Sequence, residues 1–338
     1  MPAIYITEQG AQIGVDHRRL EVRKHGEVIA EFPMGHVERV VILGNVGITT
    51  PALRRLMTGG VDLVFLSLNG RYYGRLSGET TPHIALRRAQ YAAQGDRAFV
   101  LALAQRIVAG RIHNQKALLQ WRRRKGHGGL DDFIDDLSGY EARAGRTQTL
   151  NSLMGVEGSA TARFFGGYRK LFGSEWRFER RNRRPPRDPV NVMLSLGYTL
   201  MARAAESAVE AVGLDRYAGF LHAETYNRPS LALDIEEEFR VLVEDLVFRV
   251  TREKAPEIDR IAPGDFRPGE EGERALVMEK GAVKRFIQAY EAQMRRKRVH
   301  PRTHETLPQW RFVEIQAREV ARCIRESAPG KYRALRFR

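Results

Sequence analysis

Six carboxylates are concentrated within the short window 234–245 of an otherwise basic chain. They are Asp234, Glu236, Glu237, Glu238, Glu244 and Asp245, and the one base among them is Arg240. On a helix, Asp234, Glu238 and Asp245 follow the flank of an apolar stripe, with Glu237 one step further round. Like charges placed this way repel each other unless a cation compensates them. The pattern therefore predicts that Arg240 or a divalent metal ion neutralises this face.

A seventh carboxylate, Glu157, occupies a position on the apolar stripe of a predicted helix and is flanked by Gly155 and Gly158. A buried carboxylate must be paired, protonated or bound to a metal, because an uncompensated charge there costs several kcal/mol. The small glycines leave room for a ligand to approach. The alternative interpretation is a buried ion pair with Arg163 or another base.

An imidazole, His222, lies between an apolar helix and the acidic one. Taken alone, a histidine after two apolar residues is more often a core residue whose hydrogen bonds are satisfied. Two acids and an imidazole from separate segments are nevertheless the ligands expected for a divalent ion that acts on phosphodiesters. Oxygen ligands favour Mg²⁺ or Mn²⁺, and the imidazole shifts the preference toward Mn²⁺.

The overall charge indicates what such a site would act on. The chain has 338 residues, with 56 Lys and Arg against 41 Asp and Glu, which gives a formal net charge of +15. The stretch 163–187 is the most basic, with interleaved aromatic residues, and it contains Arg180, Arg181, Arg183 and Arg184. Arginine-rich stretches suit bidentate contacts to phosphate, although a solvated helix face is the alternative reading. We predict that this stretch binds the phosphate backbone of a nucleic acid.

Two kinds of periodicity divide the chain into an N-terminal β domain over residues 1–85 and a larger all-helical domain over residues 86–338. The first has short alternating strands, a helix with Thr50 as its N-cap, and an Asn69-Gly70 hairpin signal. The second has long amphipathic segments, including 97–124, 149–172, 189–212, 230–252 and 283–298. The predicted fold class is α+β, with a β-sandwich-like first domain.

Several blocks of the sequence, in this order and spacing, resemble the CRISPR-associated adaptation nuclease, the metal-dependent integrase that inserts new spacers into CRISPR arrays. They are LMGVEG at 153–158, RFF at 163–165, DPVN at 188–191, LSLGY at 194–198, LH at 221–222 and SLALDIEEEFR at 230–240. The N-terminal strand pattern fits as well, so the resemblance extends over nearly the whole chain.

The resemblance implies that Glu157, His222 and Glu237 hold the metal, with Asp234 as a further ligand or as a residue that orients one. It places Arg163, Asn191, Tyr198 and Arg240 on phosphate or around the metal ligands. It also implies a homodimer, a small ferredoxin-like partner subunit in a heterohexameric complex, and double-stranded and branched DNA as substrates. The implied reaction is transesterification at a repeat boundary.

Two further expectations concern alternatives and location. A non-catalytic nucleic-acid-binding scaffold, in which Glu157 and the acidic helix only pair with arginines, is the alternative function. Since Cys323 is the single cysteine and neither a signal pattern nor a long apolar run is present, we expect a cytoplasmic prokaryotic protein without membrane association.

Overall fold

Two four-stranded sheets form the N-terminal part of the chain. The computed structural model describes residues 3–68, 70–76, 78, 83–182, 185–222, 226, 228–252, 259–269 and 275–337. The strands and the one helix among them are β1 (Ala3–Ile6), β2 (Gln12–Asp16), β3 (Arg19–Lys24), β4 (Glu27–Pro33), β5 (Arg39–Leu43), β6 (Gly47–Ile48), α1 (Thr50–Thr58), β7 (Asp62–Leu66) and β8 (Tyr72–Leu76). One sheet has the order β1-β5-β7-β8 and the other β4-β3-β2-β6.

The two sheets enclose an apolar core, and strand β5 contributes to it with alternate residues. Val40 and Ile42 pack with Ile13 and Leu20 of the opposite sheet. Val41 and Leu43, which point the other way, belong to the core of the helical part. All five residues of β5 are therefore buried, as expected for a strand covered on both faces. The predicted sandwich-like arrangement is confirmed.

Helix α1 begins one residue earlier than its predicted cap implies. The side chain of Thr49, not Thr50, accepts a hydrogen bond of 3.3 Å from the backbone N–H of Ala52. Thr50 is the first helical residue, and Pro51 follows at the second position, where no helical N–H is required. Of the predicted hairpin pair, Asn69 lies outside the described residues, while Gly70 adopts a positive φ of 80°.

The remainder of the chain is mostly helical. Its helices are α2 (Ile84–Gly95), α3 (Arg97–Arg124), α4 (Asp131–Ala144), α5 (Leu150–Arg169), α6 (Pro189–Val212), α7 (Ser230–Val250), α8 (Lys280–Arg295) and α9 (Gln309–Arg325). Two short hairpins join them, β9 (Phe266–Pro268) with β10 (Leu276–Met278) and β11 (Lys297–Val299) with β12 (Thr306–Pro308). The α+β class is confirmed, although the predicted helix 283–298 ends at Arg295 and its last residues form β11. No helix within the described ranges is long and apolar enough to cross a membrane.

Helix α7, which carries the acidic window, lies in the centre of the helical part. It packs against α3, α6, α8 and α9, and nearly all of its residues are buried. Apolar residues such as Leu231, Ile235, Phe239 and Leu246 fill the spaces between these helices. The carboxylates between them are consequently carried into the interior, where each one needs a partner.

Candidate metal centre

Asp234 fixes the segment that carries His222. This carboxylate is fully buried and accepts hydrogen bonds from the backbone N–H groups of Phe220 at 2.6 Å, Leu221 at 3.0 Å and His222 at 3.0 Å. It also lies 2.8 Å from Nδ1 of His222. With its acceptor sites used in this way, Asp234 orients the imidazole and leaves Nε2 available for another contact.

The free side of the imidazole faces Glu237. Nε2 of His222 is 3.6 Å from Oε1 of Glu237. Burial lowers the pKa of His222, but the hydrogen bond with Asp234 and the charges of Asp234 and Glu237 outweigh this effect and raise it. The ring is thus held in a field of negative charge, which attracts either a proton or a metal ion to this position.

Arg111 of α3 joins the two remaining predicted ligands. Its Nη1 atom contacts Oε1 of Glu157 and lies 2.5 Å from Oε2 of Glu237. Glu157 also accepts a hydrogen bond of 2.9 Å from Thr161. Arg111 and Glu237 are almost fully buried, whereas the side chain of Glu157 is 25% exposed. Glu157 therefore marks the open side of this cluster.

The two glycines near Glu157 are exposed on α5, and a Cβ atom added at Gly155 or at Gly158 would meet nothing within 4 Å. Residues one or two apart on a helix do not share a face, so Gly155 points away from Glu157 and Gly158 points to one side of it. The predicted role of these glycines in leaving room for a ligand stays a prediction, and the access to Glu157 is that of its own 25% exposed side chain.

Arg240 lies behind Glu237 rather than at the surface. Its guanidinium is 3.0 Å from Oε1 of Glu237 and 3.2 Å from Oε1 of Glu236. It also stacks over the ring of Tyr198, 5.1 Å from the centroid. Burial alone would lower the pKa of Arg240. The charges of Glu236 and Glu237 outweigh burial and raise the pKa above its ordinary value, so Arg240 stays charged. The geometry makes Arg240 a counter-ion of the acidic helix.

The residues fit a hard divalent cation in their chemistry. Oxygen and nitrogen donors of the kind that Glu157, His222 and Glu237 provide suit Mg²⁺ or Mn²⁺. In the described part of the chain, no three His, Cys, Asp or Glu side chains are close enough together, as they stand, to hold a metal ion. Between Glu157 and Glu237 lies the Arg111 guanidinium, which contacts both carboxylates.

The predicted DNA contacts fall into surface and interior positions. Arg163 is at the surface, where it pairs with Asp136 and lies over the ring of Phe133 at 4.0 Å. Arg180 is exposed. Asn191 and Tyr198 are in the interior or largely covered, and Arg183 and Arg184 lie outside the described residues.

Asn191 holds the loop before α6 that contains Arg180 and Arg181. Its side-chain oxygen accepts a hydrogen bond of 2.7 Å from Arg181, and its amide donates one of 2.8 Å to the backbone carbonyl of Arg180. The Arg181 guanidinium lies 5.4 Å from the centroid of Tyr198 and donates to Ser195 at 3.1 Å. Asn191 and Tyr198 thus position arginines and are not exposed contact residues themselves.

The residue that sequence reasoning missed is Arg111. It occurs on the buried face of α3, together with Gln115 and Arg122, among apolar residues. The same kind of signal, a charged residue on an apolar stripe, drew attention to Glu157. If charged residues on the apolar stripe of α3 had been considered in the same way, Arg111 would have been predicted as a buried cation that needs a carboxylate partner.

Comparisons with known proteins agree with this arrangement. Residues 4–292 match the family described as "CRISPR associated protein Cas1". The "CRISPR-associated endonuclease Cas1 3" of Thermus thermophilus is 35% identical over 329 residues, which is 96% of this chain and 95% of the relative.

Two solved structures share the fold. "Casposase bound to integration product" superimposes with a TM-score of 0.82 at 21% identity. The alignment covers 100% of this chain and 96% of the casposase chain. The "Cas6-RT-Cas1--Cas2 complex" has a TM-score of 0.84 at 23% identity and covers 99% of this chain and 36% of the other. With the family match over most of its length, the chain belongs to the Cas1 family of CRISPR-associated endonucleases.

Proposed function

We propose that this chain is a metal-dependent DNA endonuclease and integrase in which Glu157, His222 and Glu237 hold Mg²⁺ or Mn²⁺. The observation that carries the proposal is that Glu237 of α7 lies beside both other residues. Nε2 of His222 is 3.6 Å from Glu237, and Arg111 links Glu237 to Glu157 of α5. An ion bound there would polarise a phosphoryl oxygen and stabilise the negative charge that develops on the leaving oxygen.

The residues of the chain have separate tasks in this proposal. Asp234 keeps Nε2 of His222 directed at the ion position, while Arg240 compensates the charges of Glu236 and Glu237 from behind. The partly exposed side chain of Glu157 would lie next to the phosphodiester. Because the nucleophile is the hydroxyl of DNA or water, no serine or cysteine of the protein is required.

The reaction we propose is transesterification, in which the 3′-hydroxyl of a DNA fragment attacks a phosphodiester at a repeat boundary. In the reverse reaction at the same site, the two 3′ oxygens would exchange their roles of attacking and leaving group. Nicking of branched DNA would use water as the nucleophile, which leaves a free hydroxyl and a phosphate at the nick. The casposase neighbour, described as bound to integration product, supports this class of reaction on the same fold. Exposed Arg180 and the loop held by Asn191 would contact the DNA backbone.

We also propose an assembly and a location. The N-terminal β domain would form a homodimer, and dimers would associate with a small ferredoxin-like subunit in a heterohexamer. A complex with a Cas2 component among the structural neighbours supports such a partner. The protein would act in the prokaryotic cytoplasm, where its DNA targets are located.

One observation favours the alternative scaffold function. Glu157 pairs with Arg111, and Glu237 pairs with both Arg111 and Arg240, so the acids have arginine partners without any metal. Membership of an endonuclease family weighs against a purely structural role. The two functions make opposite predictions about metal dependence.

The test is cleavage of branched DNA by the full-length protein with Mg²⁺, with Mn²⁺ and with EDTA. We expect metal-dependent nicking that Glu157→Gln abolishes, while Asp135→Asn, an exposed acid on α4, behaves as the parent does. Cleavage that persists in EDTA or in Glu157→Gln would show that the proposed centre is wrong. Binding of the same DNA without any cleavage under all conditions would favour the scaffold.

A further inference from the structure

Arg111 uses the same carboxylate oxygens that a metal ion would need. Its Nη1 atom contacts Oε1 of Glu157 and Oε2 of Glu237, and its side chain is only 5% exposed. A guanidinium and a divalent cation repel each other strongly in such a buried place. An ion held by Glu157 and Glu237 therefore requires the Arg111 guanidinium to move away.

A buried acceptor is available further along α7. Glu244 is seven positions after Glu237 and thus on the same helix face. Its Oε1 atom accepts a hydrogen bond of 2.9 Å from Tyr198, but its Oε2 atom accepts none from any residue that the structure describes. Buried polar atoms rarely remain without a partner, so this oxygen is available to a donor.

The positive charge of Arg111 influences Glu244. Burial raises the pKa of Glu244 to about 7, and among the neighbouring charges Arg111 lowers it most, ahead of Arg240. The Nε atom of Arg111 likewise has no hydrogen-bond partner within the described ranges. The same holds for both amide atoms of Gln115, which follows Arg111 by one turn on α3.

We propose that Arg111 is a positioning residue that holds Glu157 and Glu237 together while the metal is absent, and that Glu244 receives its guanidinium when the ion binds. The inference rests on the proposed metal site. It predicts that the buried charge of Arg111 remains compensated in both states, which avoids an isolated cation in the protein interior. It also predicts that the ion must compete with a resident cation.

The competition can be measured as Mn²⁺ binding to the full-length protein without DNA, by electron paramagnetic resonance of the free ion. We expect Arg111→Gln to bind Mn²⁺ about tenfold more tightly, the factor expected when a competitor occupies nine-tenths of the sites. Glu244→Gln should bind Mn²⁺ more weakly than the parent, because the displaced guanidinium then lacks a charged acceptor. In the double variant, the Glu244 effect should disappear.

The outcomes separate this inference from the proposed function. If Glu157→Gln does not weaken Mn²⁺ binding in the parent background, the proposed metal site is wrong. If Glu157→Gln abolishes binding but Arg111→Gln binds Mn²⁺ no more tightly than the parent, only the displacement is wrong. If Glu244→Gln changes the Mn²⁺ affinity equally in the parent and in Arg111→Gln, Glu244 does not receive the displaced guanidinium.

A stability measurement covers variants that fold poorly. In EDTA, Arg111→Gln should lower the thermal midpoint, because Glu157 and Glu237 lose their shared partner, and Mn²⁺ should restore it by more than it raises the parent. Arg111→Lys keeps the charge and should bind Mn²⁺ with intermediate affinity. If Mn²⁺ raises the midpoint of parent and both variants equally, the competition does not occur.

Discussion

Two helices of this protein are rich in carboxylates, and their environments are opposite. On α4, the acids Asp131, Asp132, Asp135 and Asp136 are all exposed, and Asp136 pairs at the surface with Arg163. On α7, Asp234, Glu237, Glu238 and Glu244 are buried by 98% or more. The density of acids is similar, so density alone does not mark a site. What differs is that α7 is covered on several sides by α3, α6, α8 and α9.

The largest difference between the helices should appear in catalysis. Glu237→Gln removes a proposed ligand and should lower the rate of branched-DNA cleavage by about 100-fold or more, because several kcal/mol of transition-state stabilisation depend on the bound ion. Asp132→Asn on α4 is the matched control and should retain the parental rate. If Asp132→Asn lowers the cleavage rate more than Glu237→Gln does, the catalytic carboxylates are not on α7.

Asp234→Asn tests how strongly metal binding and stability depend on the buried acid that orients His222. The variant places an amide donor among three backbone N–H donors, so we expect a loss of about 10–100-fold in metal affinity and about 1–3 kcal/mol in the free energy of unfolding. Isothermal titration with Mn²⁺ and urea unfolding measure the two effects. Unchanged metal affinity would mean that Asp234 has no influence on His222.

The pH dependence of stability should distinguish Glu244 from an exposed acid. Burial raises the pKa of Glu244 to about 7, above its ordinary value of 4.5. The protonated carboxyl therefore stabilises the fold below about pH 4.5, and this contribution is lost as the pH rises to about 7. Glu244→Gln cannot ionise, so in EDTA its stability should rise relative to the parent between pH 4.5 and 7.

The control for this measurement is Asp135→Asn, which removes one negative charge from α4. Urea midpoints at several pH values provide the comparison. A difference between Glu244→Gln and the parent that stays constant across the range would contradict the buried environment assigned to Glu244.

The smallest effect is expected at the surface pair on α4. The pair of Arg163 and Asp136 is 36% and 51% exposed, so Asp136→Asn should change the free energy of unfolding by less than about 1 kcal/mol. Chemical denaturation at low and at high salt measures this contribution. A loss as large as that of Asp234→Asn would show that exposure does not separate the two helices.

Much of this contrast was predictable from the sequence. The acids of α7 flank an apolar stripe, and Glu157 falls on one, which predicted that these carboxylates are buried. The α4 side of the contrast came only with the structure. Helices α3 and α6 have the predicted bounds, and in both the side chain of an aspartate, Asp96 or Asp188, caps the N-terminus.

The partners of the acids were not predictable in the same way. Arg111 is 46 residues from Glu157 in the sequence, and helical spacing does not reveal which distant charges meet. The alternative reading of Glu157, an ion pair with Arg163 or another base, named Arg163 only as one candidate. The partner is Arg111, and Arg163 pairs with Asp136 instead. Helices α2 and α4 were missed, and the first two residues of β11, Lys297 and Arg298, were taken as helix because they continue the basic pattern of α8.

Strand β5 has a further consequence for how the molecule unfolds. Its alternate residues belong to the core between the sheets and to the core of the helical part. Removing either layer would expose one side of the same buried strand to water, and the remaining layer would lose part of its own support. We therefore expect the sheets and the helices to melt together, so that calorimetry of the full chain shows one transition rather than two.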